Sequence, residues 1–146
     1  MAKTQFIAST LIVDDDRTAL MFSNAIISNL GCTVETAMNA DDALELHQEK
    51  KFDLILMDIE MPDCNGYDAT VKLRNLEKEC RQKASIVIAL SGHIDSRDVL
   101  QKCLSSGMND CLTKPLQPDA AVSRLRKWNI PLKKVLNTHP TLRKSE

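Results

Sequence analysis

The chain has 146 residues, a hydrophobic content of 43%, an aromatic content of 3% and a formal charge of -1. That length suits one domain with its own aliphatic core, and so small a charge gives no general pull toward nucleic acid or an anionic membrane. No apolar run approaches the ~20 residues of a spanning helix, and the N-terminus carries no signal-peptide pattern. The five cysteines, Cys32, Cys64, Cys80, Cys103 and Cys111, are odd in number and lack C-x-x-C spacing. They argue against a disulfide scaffold or a zinc site and for a reducing, cytoplasmic compartment.

Residues 1–9 read as a leader. Thr10-Leu11-Ile12-Val13 is an apolar strand stopped by Asp14-Asp15-Asp16. A helix follows, with Ala19, Leu20, Phe22, Ala25, Ile26, Ile27 and Leu30 near one stripe and Arg17, Ser23, Asn24 and Ser28 off it. Asp16 suits its N-cap and Gly31 its C-cap. Thr33 to Ala37 alternates like an exposed strand near a sheet edge. Asn39 caps a second helix with Ala40, Ala43, Leu44 and Leu46 inward, and Lys50-Lys51 close it.

Leu54-Ile55-Leu56-Met57 is a continuous apolar run, as in a strand covered on both faces, and Asp58 interrupts it. A carboxylate there needs the sheet edge, where water, a cation or a donor can reach it. Met61-Pro62-Asp63 and Asn65-Gly66 supply turn chemistry. A third helix runs from about Tyr67 to Lys78 with Val71, Leu73 and Leu76 inward, and residues 77–83 form its exit. Ser85 to Ser91 is another buried strand. Ser96 to Ser106 forms a helix with Val99, Leu100, Cys103 and Leu104 inward, ended by Gly107. Cys111-Leu112-Thr113 is a short strand before Lys114-Pro115. The last helix runs from Pro118 to Trp128 with Ala121, Val122 and Leu125 inward. Residues 10–130 therefore form the domain. Residues 131–146 form a basic, polar tail, with Lys133, Lys134, Arg143 and Lys144 on a solvated end.

Five βα units imply a parallel sheet with helices on both faces. Ligands bind such sheets at the carboxyl ends of the strands. Asp14 and Asp15, Asp58, Ser91 and Lys114 all arrive at that edge. The three carboxylates need a cation, and oxygen ligands suit Mg²⁺. Acid, hydroxyl and lysine together suit a phosphoryl group, with an aspartate as nucleophile.

The chain resembles the response-regulator receiver domains of two-component phosphorelays. The resemblance rests on Leu11-Ile12-Val13-Asp14-Asp15, Leu56-Met57-Asp58-Ile59-Glu60-Met61-Pro62, Ala89-Leu90-Ser91 and Thr113-Lys114-Pro115. It covers residues from about 10 to 130, and the motifs are specific as a set. It implies a doubly wound α/β, (βα)5 flavodoxin-like fold with strand order 2-1-3-4-5. It implies Asp58 as phosphoacceptor, with Mg²⁺ held by Asp14, Asp15, Asp58 and the backbone carbonyl of Glu60. Ser91 becomes the switch hydroxyl and Lys114 the lysine that pairs with the phosphoryl group, with a cis bond to Pro115. The Glu60 side chain and His93 stand where the family tunes phosphoryl lifetime.

One departure matters. The family often has Tyr or Phe three residues before the lysine, and this chain has Cys111, which cannot signal by an aromatic swing. Such replacements resemble receivers of hybrid kinases and phosphorelay intermediates. The implied partners are a histidine kinase or a histidine phosphotransfer protein, met by a monomer with no DNA-binding output past residue 131. The rivals are a pseudo-receiver that works without phosphorylation and an aspartyl-phosphate hydrolase. Pro62 and the missing D-x-D-x-T pattern disfavour the hydrolase.

Overall fold

The computed structural model describes residues 6–92 and 97–131. Within them, β1 (Ser9–Val13), α1 (Arg17–Asn29), β2 (Thr33–Ala37), α2 (Ala40–Glu49), β3 (Leu54–Asp58), α3 (Gly66–Glu79), β4 (Ile86–Ser91), α4 (Arg97–Ser105), β5 (Asp110–Thr113) and α5 (Pro118–Lys127) alternate along the chain. The strands form one parallel sheet in the order β2-β1-β3-β4-β5. This is the flavodoxin-like order, and β2 lies at an edge as its alternation predicts.

The apolar runs alternate between two cores because successive strand residues face opposite sides. Leu11, Val13, Ile55, Met57, Val87 and Ala89 join one cluster, which also holds buried residues of α2, α3 and α4. Ile12, Leu54, Leu56, Ile88, Leu90 and Leu112 join the other, with residues of α1 and α5. The caps follow the expected chemistry. Asp16 accepts from the Thr18 and Ala19 amides, and Asn39 and Asn65 cap α2 and α3. Gly31 and Gly107 take the positive φ that ends a helix.

Several expectations change. Phe6 and Ala8 are buried, and the Phe6 and Ile7 amides donate to Leu30 and Pro131 carbonyls at 2.7 and 2.9 Å. The segment read as leader therefore supplies core from Phe6 onward, and Pro131 is tied to it. On α1, Phe22 and Ala25 face outward while Ser23 is buried with Leu20 and Ile27. The inward seam is a narrow i, i+3, i+7 line. On α3, Val71 is exposed, and on α4, Leu100 and Leu104 are exposed, leaving Cys103 as that helix's buried side chain. The start of the fourth helix at Ser96 and the tail from residue 132 lie outside the described residues.

A polar network on the α2–α3 side was not foreseen. Glu77, which the sequence places at the polar exit of the third helix, is buried within α3 and receives His47 Nε2, the Ser85 amide and Arg74 Nη1 at 2.9, 2.9 and 2.8 Å. Arg74 also donates to the carbonyls of Gly107 and Ser85 and to Asn109 Oδ1. It thereby fastens α3 to the segment between α4 and β5. Burial alone would raise the Glu77 carboxyl, but hydrogen bonds from His47, Ser85 and Arg74 outweigh it and hold it at about 2.

Removing one partner of such a buried pair leaves the other uncompensated. Arg74→Met is expected to cost about 3 kcal/mol in urea unfolding. The Glu77 share of stability, on the order of 3 kcal/mol, is complete above its ordinary 4.5 and is lost as pH falls from there toward about 2. Glu77→Gln should remove that acid limb from a stability–pH profile. An unchanged limb would contradict the assignment.

Candidate functional site

The carboxyl ends of β1, β3, β4 and β5 bring the site together. Asp14 follows the last residue of β1, and its amide donates to the Ala37 carbonyl at 3.1 Å. Its Oδ1 accepts from the Asp16 amide at 2.9 Å, which fixes the carboxylate's direction. Asp58 is the last residue of β3, and its Oδ1 accepts from the Glu60 amide at 3.0 Å. Both aspartates are buried, while Asp15 is exposed.

Lys114 follows β5 and is joined to Pro115 by a cis peptide bond. Its amide donates to the Ser91 carbonyl at 2.8 Å, binding the lysine strand to the serine strand. Its Nζ lies 2.9 Å from Asp14 Oδ2 and 3.2 Å from Asp58 Oδ2. Ser91 ends β4, is buried, and pairs with Thr113 across the sheet. Asp14, Asp15, Asp58, Ser91 and Lys114 thus gather at one mouth. Glu60 adjoins it, its side chain 3.5 Å from the Gly92 amide. His93 lies outside the described residues.

The Lys114 ammonium pairs with two of the three carboxylates, Asp14 and Asp58. Burial pushes the Asp58 carboxyl up to about 6; the neighbouring Asp14 adds to this, and the Glu60 amide and Lys114 oppose it. Burial would lower Lys114, but Asp14 and Asp58 outweigh it and raise it above its ordinary value.

The residues fit a hard divalent cation. One oxygen from each of Asp14, Asp15 and Asp58 lies within 4.8 Å of the others. Asp14 Oδ2 is buried and accepts no hydrogen bond, touching Lys114 only as an ion pair. An all-oxygen set of this kind suits Mg²⁺ rather than a softer metal.

Gly66 is a further site residue that the sequence reading placed only as a turn. A Cβ there would lie 2.5 Å from the Asp58 carbonyl oxygen and 2.7 Å from Ile59 Cα. The first turn of α3 can press against the acceptor strand only because that position has no side chain. The Asn-Gly pair after Asp58 was the available signal.

An acidic, cation-suited mouth with a lysine and a buried serine, at the carboxyl edge of a 2-1-3-4-5 sheet, defines a flavodoxin-like regulatory domain rather than a nucleotide enzyme with a glycine-rich loop. Comparison with known proteins makes this specific. The model for the response regulator receiver domain matches residues 10–126, and the chain belongs to that family. It is 36% identical over 110 residues to the two-component response regulator ARR22 of Arabidopsis thaliana, covering 74% of each chain. It is 32% identical over 130 residues to hybrid signal transduction histidine kinase B of Dictyostelium discoideum, covering 83% of this chain but only 7% of that kinase.

Among solved structures, the receiver domain of Ssk1 from Saccharomyces cerevisiae, crystallised with the histidine phosphotransfer protein Ypd1, is similar at a TM-score of 0.77. Identity is 26%, with 88% of this chain and 91% of that one covered. The Mg²⁺-complexed receiver domain of the Arabidopsis thaliana histidine kinase CKI1 gives 0.73, with 29% identity and 82% and 93% coverage.

The charge imbalance predicts a test. In chelator near neutral pH, ionising Asp58 costs stability, because its folded value lies above the ordinary one. Asp58→Asn should therefore stabilise the metal-free chain by roughly 2 kcal/mol, read as a higher thermal midpoint. Added Mg²⁺ should raise the native midpoint and move the variant's less. A destabilised variant in chelator would contradict this electrostatic account.

Proposed function

We propose that this receiver accepts a phosphoryl group on Asp58 from a phosphohistidine partner, and that the modified state either alters partner binding or passes the group onward. The observation that carries the reading is the ion pairing of Lys114 with both Asp14 and Asp58 at the mouth of the sheet. A carboxylate oxygen of Asp58 attacks phosphorus, the P–N bond to the donor imidazole breaks, and the imidazole leaves with the bonding pair. Lys114 is placed to balance the charge gained at Asp58, and Ser91 stands beside it to donate to a phosphoryl oxygen. Asp14, Asp15 and Asp58, with the Glu60 carbonyl, would hold Mg²⁺, which supplies further neutralisation of phosphoryl oxygens when bound. The Glu60 side chain, 3.5 Å from the Gly92 amide, sets phosphoryl lifetime.

The partner must bring its histidine over this mouth. Beside it, Met21 is 68% and Phe22 57% exposed on α1, and Met38 follows β2. Arg17, Leu20, Met21, Asn24, Thr36 and Met38 line a shallow cleft of about 290 Å³ there. Large exposed apolar side chains next to a reactive acid suit a helical histidine-bearing partner. The similarity to a receiver crystallised with a histidine phosphotransfer protein supports that choice.

Incubation with Mg²⁺ and acetyl phosphate tests the chemistry by intact mass. One added phosphoryl group, dependent on Mg²⁺ and absent from Asp58→Asn, is expected. A chain that gains none and releases no phosphate would count for a pseudo-receiver instead.

Phe22→Ala should slow transfer from a phosphorylated histidine protein about tenfold or more, as loss of an apolar anchor does. It should leave uptake from acetyl phosphate unchanged. Equal slowing with both donors would remove α1 from the docking surface.

A further inference from the structure

We propose that Asn109, held in place by Arg74 of α3, is the positioning residue that sets where β5 delivers Lys114. This inference rests on the reading of Asp58 as phosphoacceptor with Lys114 as its charge partner, and it adds a residue at the opposite end of the lysine's strand.

β5 has four residues, lies at the edge of the sheet and has β4 as its neighbouring strand. Lys114 follows its last residue, so the register of β5 on β4 decides where the ammonium arrives. Asn109 immediately precedes the strand and binds β4 twice. Its amide donates to the Val87 carbonyl at 2.7 Å, and its Oδ1 accepts from the Val87 amide at 2.8 Å. The side chain thereby carries the pairing beyond the first residue of the strand. The same Oδ1 accepts from Arg74 Nη2 at 2.9 Å, so both of its lone pairs are used and the carboxamide has one orientation.

Arg74 is itself fixed on several sides. Its Nη1 donates to Glu77 Oε1 and to the Ser85 carbonyl, both at 2.8 Å, and its Nε donates to the Gly107 carbonyl at 2.9 Å. Gly107 takes a φ of +102°, and a Cβ there would lie 2.9 Å from Arg74 Cγ, so the turn into β5 closes directly on the arginine. Ser85 immediately precedes β4. One guanidinium therefore ties together the starts of the two strands that finish at Ser91 and Lys114. At their other ends the Lys114 amide donates to the Ser91 carbonyl at 2.8 Å, and Nζ lies 2.9 and 3.2 Å from Asp14 and Asp58. A displacement of about 1 Å away from the carboxylates takes the ammonium beyond hydrogen-bond reach. A slip of one residue moves it ~3.3 Å and turns it to the opposite face.

Three chains test this: the native one, Asn109→Ala, which removes Oδ1, and Asn109→Asp, which keeps an oxygen for both donors. Residue-resolved amide exchange compares Thr113 and Lys114 with the amides of β1 and β3. Uptake from acetyl phosphate is timed by intact mass at saturating Mg²⁺ and corrected for the folded fraction. Mg²⁺ affinity is measured separately by calorimetry. Should Asn109→Ala fail to fold, Asn109→Ser, too short to span both donors, is read in the same way.

In Asn109→Ala the proposal requires faster exchange at Lys114 with β1 and β3 unchanged, and uptake slowed about tenfold or more, as when a charge-stabilising donor is displaced. Mg²⁺ should bind no more weakly, because the carboxylates that would hold it stand at the ends of β1 and β3. Asn109→Asp should restore both exchange and uptake. Native uptake in Asn109→Ala, slowing that Asn109→Asp does not rescue, or exchange that rises equally in β1, β3 and β5 overturns the positioning role and leaves the acceptor reading standing. A native chain that takes up no phosphoryl group overturns the acceptor reading, and the exchange at Lys114 still decides whether Asn109 holds the lysine.

Discussion

Two buried carboxylates, Asp14 and Asp58, meeting Lys114 at the end of a parallel sheet is the constraint on which the rest depends. Asp14 and Asp58 are almost wholly withdrawn from water, so their charges must be met locally. Lys114 meets part of that demand at 2.9 and 3.2 Å. The remainder is a charge demand of the kind a hard divalent cation suits. The fold serves this arrangement directly. Apolar strands on both sides of Asp58 exclude water, and the pairing of β4 with β5 fixes Ser91 beside Thr113 and Lys114. The cost of gathering like charges falls on a sheet with a core on each face, which can bear it.

The sequence made much of this legible because the chemistry sits at strand ends. Uninterrupted runs such as Leu54 to Met57 announce strands buried on both faces, and the polar residue that ends each run is the residue that reaches the mouth. Five such units in alternation with helices leave few arrangements. Helix faces were harder to read. Phe22 on α1, Val71 on α3 and Leu104 on α4 are apolar yet exposed, so hydrophobicity alone misplaced the inward side. Ser23 is buried between Leu20 and Ile27 on the inward line of α1, a position decided by tertiary packing rather than by residue type.

Long-range polar contacts were the least legible. His47, Arg74, Glu77, Ser85 and Asn109 come from four separate segments, and no local pattern announces their meeting. Glu77 looked like the polar exit of a helix because its neighbours in sequence are charged. His47 lies 30 residues away in sequence, and only the packing of α2 against α3 brings it to Glu77. Phe6 was misread for a related reason: a single aromatic outside any periodic run carries no signal until the C-terminal end of the domain closes over it. Both features lie away from the carboxylate mouth and hold the scaffold that positions it.

The central claim is that Asp58, among several acids at one mouth, is the group that carries the phosphoryl. Borohydride reduction of the chain after exposure to a phosphodonor converts an aspartyl phosphate to homoserine, and peptide mapping then locates it. The account predicts homoserine at position 58 alone, dependent on Mg²⁺ and on Lys114. Homoserine at position 14 or 15, or a phosphoryl group recovered on a histidine, would contradict it.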